Sequence, residues 1–230
     1  MPNENEQKLI ALVIKWTNHF KWREDFLKWQ EQRIWQEKHQ EKTINFLEKF
    51  IPDLKKKKIL DLGSGMGGFL VAMQQTGYDI QGLEPNSDYC EITGLRGKRY
   101  GLKVRVVNGF GEKIPFSKDF FDLIFCNDVL EHGQNPREVL RESHRVLRAG
   151  GQMYVTVISR FGFRDPHYHL RFVNWLPRPW AEKYIIWRGK TKDDSLHHQD
   201  NQKLSAMHYF TFGGFQKMAE ETIEAFNSLI

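Results

Sequence analysis

Ile59-Leu60-Asp61-Leu62-Gly63-Ser64-Gly65-Met66-Gly67-Gly68-Phe69-Leu70 is an apolar run that breaks into glycines and resumes as an amphipathic pattern. That order reads as strand, tight turn, helix. Glycines at 63, 65, 67 and 68 remove the side chains that would hold a ligand away from the backbone, and they permit φ > 0 where the chain reverses. A helix starting near Gly68 is expected to aim unpaired N–H groups at that ligand.

Two ligand classes compete for such a loop. Gly63-x-Gly65-x-x-Gly68 meets the dinucleotide fingerprint, and Asp61-x-Gly63-x-Gly65-x-Gly67 meets the acidic-Gly-x-Gly-x-Gly pattern of S-adenosylmethionine (SAM) enzymes. Tyr78-Asp79-Ile80-Gln81-Gly82-Leu83-Glu84 reads as a second strand ending in an acid, and its carboxylate suits ribose hydroxyls in either class. Asp61 favours SAM, because a carboxylate at the mouth of the loop repels a pyrophosphate and attracts an ammonium and a sulfonium.

Farther along, Phe121-Asp122-Leu123-Ile124-Phe125-Cys126-Asn127-Asp128-Val129-Leu130-Glu131-His132 precedes a helix and then Val146-Leu147-Arg148-Ala149-Gly150-Gly151. Together with the glycine loop, this resembles a class I SAM-dependent methyltransferase, and more narrowly the small-molecule, quinone-biosynthesis type (methyltransferase type 11). The likeness covers about residues 57–158. It implies that Asp61, Gly63, Ser64, Gly65 and Gly67 face the methionine part of SAM, that Glu84 with Pro85 meets the ribose, and that Asn127 lines the pocket. Aligning Gly109-Phe110-Gly111-Glu112-Lys113-Ile114-Pro115-Phe116 with the family's Gly-Asp-Ala-Glu-x-Leu-Pro-Phe implies an adenine site at Phe110, Gly111 and Glu112. Phe110 stands where the family has an aspartate, so adenine is expected to rest on backbone groups and apolar contact.

From Lys57 strands and helices alternate: 58–62, helix 68–76, 79–84, helix 87–100, 103–108, 121–127, helix 136–147 and 152–158. This predicts an α/β, Rossmann-like, doubly wound parallel sheet. Gly63, Glu84, Gly109 and Asn127 all fall at carboxyl ends of strands, where open α/β sheets bind ligands. In the helix after Pro136, Val139, Leu140, Val146 and Leu147 form a buried stripe while Arg137, Glu138, Arg141, Glu142 and Arg145 face water. Residues 1–52 read as an N-terminal helical cap of two or three helices, residues 53–158 as the SAM-binding core, and 159–230 as an acceptor-site lid with a terminal helix. Trp16, Trp22, Trp29 and Trp35 of the cap are read as core contacts rather than a base-stacking surface, and no nucleic acid partner is expected. The resembling family continues past a helix like Phe212–Ala225 into two more strands, so the terminal antiparallel hairpin is expected to be absent here. Strand five is then an edge, covered by the lid, by a strand around Tyr184-Ile185-Ile186-Trp187, or by a second copy of the chain as a homodimer.

With 230 residues, 40% apolar and 13% aromatic, the chain can fill one core plus an appendage. It has no apolar run near the roughly 20 residues needed to span a bilayer, and Met1-Pro2-Asn3-Glu4-Asn5 is unlike a signal peptide, so a cytoplasmic location is expected. A net charge of +5 allows weak attraction to an anionic membrane surface. Cys90 and Cys126 make no metal spacing, the adjacent His197 and His198 are no metal motif, and no metal is expected. The stretch 190–200 reads as a polar loop.

After strand five, Arg160-Phe161-Gly162-Phe163-Arg164-Asp165-Pro166-His167-Tyr168-His169-Leu170 opens a stretch rich in aromatic and basic residues, where the resemblance implies an acceptor site for a small molecule. Methyl transfer is an in-line displacement that needs alignment and dryness more than a base. For a hydroxyl acceptor, His132, His167 and His169 are the candidate catalytic bases, with Asp128 and Glu131 as residues that could orient them. Two rival readings stay open: a nucleotide-dependent oxidoreductase, and a catalytically silent SAM-binding interaction protein.

Overall fold

The computed structural model describes residues 3–190 and 203–227; all of the stretch 190–200 except Lys190 lies outside the described residues, as do His197 and His198. Three helices come first, α1 (Glu4–Thr17), α2 (Phe26–Ile34) and α3 (Glu41–Phe50). The first is started by Asn3, whose side chain accepts from the Glu6 N–H at 2.9 Å. The alternating part follows as β1 (Lys58–Leu62), α4 (Gly68–Gln75), β2 (Asp79–Glu84), α5 (Ser87–Lys98), β3 (Val106–Asn108), β4 (Phe121–Cys126), α6 (Pro136–Val146) and β5 (Leu147–Val155). Two more helices, α7 (Arg178–Trp187) and α8 (Phe212–Asn227), follow the fifth strand, and Phe215, Met218 and Ala219 of α8 pack on the core beside α6.

All five strands are parallel, in the order β3-β2-β1-β4-β5. Chain order reverses between β1 and β4, which opens a crevice at their carboxyl ends. Side chains alternate across β1, so Ile59 packs on one face with Leu47, Phe69 and Met73, while Leu60 and Leu62 pack on the other with Val139, Leu140 and Val146. Ile59 and Leu60 are fully buried. Each then contributes about 1.5–3 kcal/mol of burial, which is why a parallel strand covered on both faces reads as a continuous apolar run.

Several expectations change. The fifth strand begins at Leu147, directly after α6, and ends at Val155 rather than 158; Gly150, at φ 75°, sits in the irregular stretch where its pairing with β4 shifts register. Residues 184–187 are helical, within α7, and add no strand. Among the described residues the sheet has no sixth strand, and the continuation of β5 is met instead by Phe210. The Phe210 N–H donates to the Ile158 carbonyl (2.9 Å), and the Arg160 N–H donates to the Phe210 carbonyl (2.7 Å). Glu142 does not face water: it is buried, accepts the Ile114 N–H at 3.0 Å and binds Arg145, whose guanidinium donates to the carbonyls of Ile114 and Phe116. Helix periodicity placed both residues outside, but the loop between β3 and β4 lies over that face and needs its backbone groups satisfied.

The N-terminal helices are fastened to the sheet layer by charge as well as apolar contact. Leu9, Val13 and Trp16 pack with Tyr89, Ile92 and Leu95 of α5. Beneath them Arg96, fully buried, donates to the carbonyls of Met66, Ile34 and Arg33 at 2.9 Å each and pairs with Glu37. Arg99 reaches Glu6 and Glu37, and the Tyr100 hydroxyl donates to Glu37 at 2.7 Å. Burial alone would raise the Glu37 carboxyl; the charge of Arg96 and the hydrogen bonds around it outweigh that and hold it below the ordinary carboxylate value.

Candidate active site

A cleft of about 920 Å³ lies between the carboxyl ends of the strands and the N-terminal helices. This is at the upper end of ligand-site volumes, so one large ligand and a smaller one fit together. Of the residues expected from sequence, Asp61, Gly63, Ser64, Gly65, Glu84, Pro85, Phe110, Gly111, Glu112, Asn127, His132 and His167 all line it. The cap forms the facing wall: Trp16 and Trp29, read from sequence as core contacts, line the cleft, with Phe20, Arg33 and Gln36, which carried no sequence signal.

The glycine loop works by space rather than by donors. The N–H groups of Gly63 and Ser64 both donate to the Leu83 carbonyl (2.8 and 3.1 Å), that of Gly65 donates to Glu84 Oε2 (2.8 Å), and that of Gly67 to the Ser64 carbonyl (3.0 Å). The loop thus spends these four N–H groups on β2 and on itself, and the helix donors expected from sequence belong to the turn that starts at Gly68. A β-carbon placed on Gly65, whose φ is 54°, would meet no protein atom within 4 Å and would project into open space. Gly67 plays a different part. It is not in the cleft wall, and a β-carbon there would collide with Thr93 of α5, so that glycine serves packing at φ 75°.

Two acids stand at the strand ends. Glu84 Oε1 accepts the Asn86 N–H (2.9 Å) while Oε2 accepts the Gly65 N–H (2.8 Å), which fixes the carboxylate at the rim. Asp61 is buried, and its Oδ2 has no hydrogen-bond partner. Burial, and secondly the charge of Glu84, push its carboxyl up to about 8. An orphaned buried acid costs free energy until a cation or donor arrives, so this corner of the cleft is built for a cationic ligand. A pyrophosphate fits poorly, with two acids here and the loop donors already used.

At the other end the histidines divide. His132 and His167 meet Nε2 to Nε2 at 3.3 Å, although 35 residues separate them. His167 Nδ1 contacts the Tyr209 hydroxyl at 3.0 Å, and that hydroxyl donates to Asp165 Oδ2 at 2.6 Å. Asp165 is fully buried and holds the tight turn of the lid by accepting the N–H groups of His167 and Tyr168 on Oδ1. Neither Asp165 nor Tyr209 was singled out from sequence, because nothing local marks a partner more than 40 residues away. His169 is not part of the cleft wall. The same turn aims it the other way, its Nε2 at 3.1 Å from Arg23 and its ring edge-on to Trp22, which removes it from the candidate bases.

The expected orienting residues also part company. Asp128, at φ 55°, is held by Thr156, which accepts its N–H (2.8 Å) and donates to its Oδ1 (2.9 Å). Glu131 is fully buried and neither carboxylate oxygen has a hydrogen-bond partner; burial raises it to about 8. Glu112 faces the cleft but is engaged by the N–H groups of Gln134 and Asn135. Phe110 is half exposed at the rim.

Residues 60–155 match a family described as a methyltransferase domain. Ubiquinone biosynthesis O-methyltransferase of Pseudomonas aeruginosa is 31% identical over 108 residues, 45% of this chain and 45% of that protein. Among solved structures, YcgJ of Bacillus subtilis has a TM-score of 0.56 at 18% identity, covering 79% of this chain and 68% of that one. A phosphoethanolamine N-methyltransferase of Haemonchus contortus, solved with S-adenosylhomocysteine, has a TM-score of 0.57 at 16% identity, covering 79% and 36%. The chain spans 37–64% of the length of the curated relatives it matches first. Fold, strand order and motif positions thus agree with that match: residues 60–155 are similar to the methyltransferase-domain family, and the likeness to these solved methyltransferases is one of fold.

Proposed function

We propose that the protein transfers a methyl group from SAM to a small-molecule acceptor held beneath the lid. The observation that carries this reading is the pairing of an open cradle at Gly65 with the orphaned carboxylate of Asp61. The cradle admits a ligand against the backbone, and the acid demands a positive partner. SAM, when bound, supplies an electrophilic methyl group on a sulfonium. Asp61 would take its ammonium, Glu84 its ribose hydroxyls, and Phe110, Gly111 and Asn127 would bound the adenine end.

The acceptor end is assigned to His132 and His167. Since Tyr209 donates to Asp165, its hydroxyl oxygen accepts from His167 Nδ1–H, and the lone pair of His167 is on Nε2, the nitrogen that faces His132 Nε2 at 3.3 Å. Pro166 and His167 stand over this end, and an acceptor seated there would displace water, which favours transfer over loss of the methyl group to solvent. The lid's own walls complete the cleft, so this reading needs no second copy of the chain. No helix among the described residues is long and apolar enough to cross a membrane.

Isothermal titration with SAM, S-adenosylhomocysteine, NAD and NADP tests the reading. SAM and its demethylated product should bind and the nicotinamide cofactors should not; binding of NAD without SAM overturns it in favour of an oxidoreductase. Gly65→Val should abolish SAM binding, since its side chain fills the cradle, with a modest loss of stability from a branched residue at positive φ.

A further inference from the structure

Outside the cofactor end, one cluster is only partly used by the reading above, which gives His132 and His167 to the acceptor and leaves Glu131 without a part. Glu131, His132 and His167 each offer one ligand atom, and these atoms all lie within 4.8 Å of one another. Glu131 presents two buried carboxylate oxygens with no hydrogen-bond partner, an arrangement that costs free energy as it stands. We propose that Glu131, His132 and His167 bind a divalent transition-metal ion of the zinc class at the acceptor end of the cleft.

Three independent features agree. The donor set is two imidazoles and a carboxylate, which suits zinc and its first-row neighbours and not magnesium or calcium, whose sites are built from oxygen. The spacing is right: two nitrogens bound to one tetrahedral zinc at about 2.05 Å stand about 3.3 Å apart, and the His132 and His167 Nε2 atoms are 3.3 Å apart. One outer partner is also in place. A metal-bound imidazole donates its other N–H to an oriented acceptor, and His167 Nδ1–H has that acceptor in Tyr209, itself fixed by the buried Asp165.

With three protein ligands one position is left for water or a ligand, the open arrangement of sites that act on substrates rather than hold a fold together. All three residues line the cleft, so that position faces the space where the acceptor would lie. The inference rests on the methyltransferase reading only for the identity of that occupant. Binding of the ion itself does not depend on it. From sequence the site is invisible, since Glu131-His132 and His167 carry no metal spacing and meet only because the lid turn held by Asp165 folds back over the end of β4.

The test is titration of the full, chelator-treated chain with Zn²⁺ by calorimetry, and with Co²⁺ followed by visible absorption. One equivalent should bind, with a Co²⁺ spectrum of low coordination number. Both Glu131→Gln and His167→Asn should weaken Zn²⁺ binding at least tenfold and remove the Co²⁺ band, with the fold checked by circular dichroism. If Glu131→Gln fails to fold because of its burial, His167→Asn, half-buried in the lid, decides alone. A wild-type chain that takes up no Zn²⁺, or a His167→Asn variant that binds it unchanged, overturns the proposal. SAM titrated in parallel separates the two readings: Zn²⁺ bound without SAM condemns the methyltransferase assignment and leaves the ion site standing, and the reverse result does the opposite.

Discussion

The chain buries charge in two places and treats it in opposite ways. Under the cap, Arg96 and Glu37 are almost fully buried, and Arg96 has three carbonyls and a carboxylate around it while Glu37 has Arg96, Arg99 and Tyr100. In the cleft, Asp61 and Glu131 are as deeply buried and keep carboxylate oxygens without partners. Taking an ion out of water costs several kcal/mol in either place. Where that cost is met from within the protein, the charge fastens elements together. Where it is left unmet, burial pushes the carboxyl up to about 8, so the group holds its proton near neutral pH until a ligand supplies a positive partner.

The largest effect expected from this contrast is at the clamp. Arg96→Met leaves Glu37 buried without its main counter-charge and should lower unfolding free energy by about 3–5 kcal/mol in urea titration. A loss below about 1 kcal/mol would mean the cap is held by apolar contact alone.

Asp61 should behave in the reverse sense. Its folded value of about 8 lies above the ordinary 3.8, so the folded chain holds more protons than the unfolded one between those values. Stability of the ligand-free protein therefore falls as pH rises from about 4 to 8, the direction opposite to a salt-bridged carboxylate. A shift of that size bounds the effect at about 6 kcal/mol, and water in an open cleft reduces it to about 2–3 kcal/mol. Asp61→Asn should flatten this part of the curve, leave the ligand-free protein more stable than wild type at pH 8, and lose SAM binding. Thermal unfolding across pH checks both; an Asp61→Asn variant that is less stable at pH 8 breaks the comparison. Glu84 lies between the two cases, since it is buried yet partnered by Gly65 and Asn86. Glu84→Ala should weaken SAM binding by about 1.5–3 kcal/mol, measured by calorimetry, through loss of a charged acceptor.

What could be read in advance follows the same division. β1, β2 and β4 were legible because strands buried on both faces must be apolar throughout, and the glycine loop because only glycine combines positive φ with open space. Asp61 and Glu84 were legible as positions, for they end strands. Their states were not, because an orphaned oxygen depends on what packs from elsewhere in the chain. Gly67 reads like Gly65, yet one makes room for α5 and the other for a ligand. The histidines show the limit most clearly: His167 and His169 are two residues apart, and only the turn built on Asp165 decides that one enters the cleft and the other turns toward Arg23. The Glu142 and Arg145 pair was misplaced for a related reason, since an amphipathic pattern cannot report a loop that lies down on the polar face.

The smallest expected effect is at a third ion pair, which joins the cap to the sheet layer as Arg96 does but does so at the surface. Lys15 Nζ lies 2.8 Å from Asp88 Oδ2, with the two side chains 54% and 30% exposed, and the same oxygen also accepts from Trp16 Nε1 at 2.9 Å. Water competes for both charges, and Asp88 keeps its indole partner when the lysine is lost. Lys15→Met, which retains most of the apolar stem over the Trp16 ring, should then cost less than about 1 kcal/mol. The difference from wild type should disappear in about 1 M salt, where the screening length shrinks to about 3 Å, whereas the Arg96→Met defect should persist there. Urea titrations of the two variants at low and high salt make the comparison directly. If Lys15→Met cost as much as Arg96→Met, or if both defects faded with salt, burial would not be what separates the clamp from the surface, and the contrast between partnered and orphaned charge would lose its physical basis.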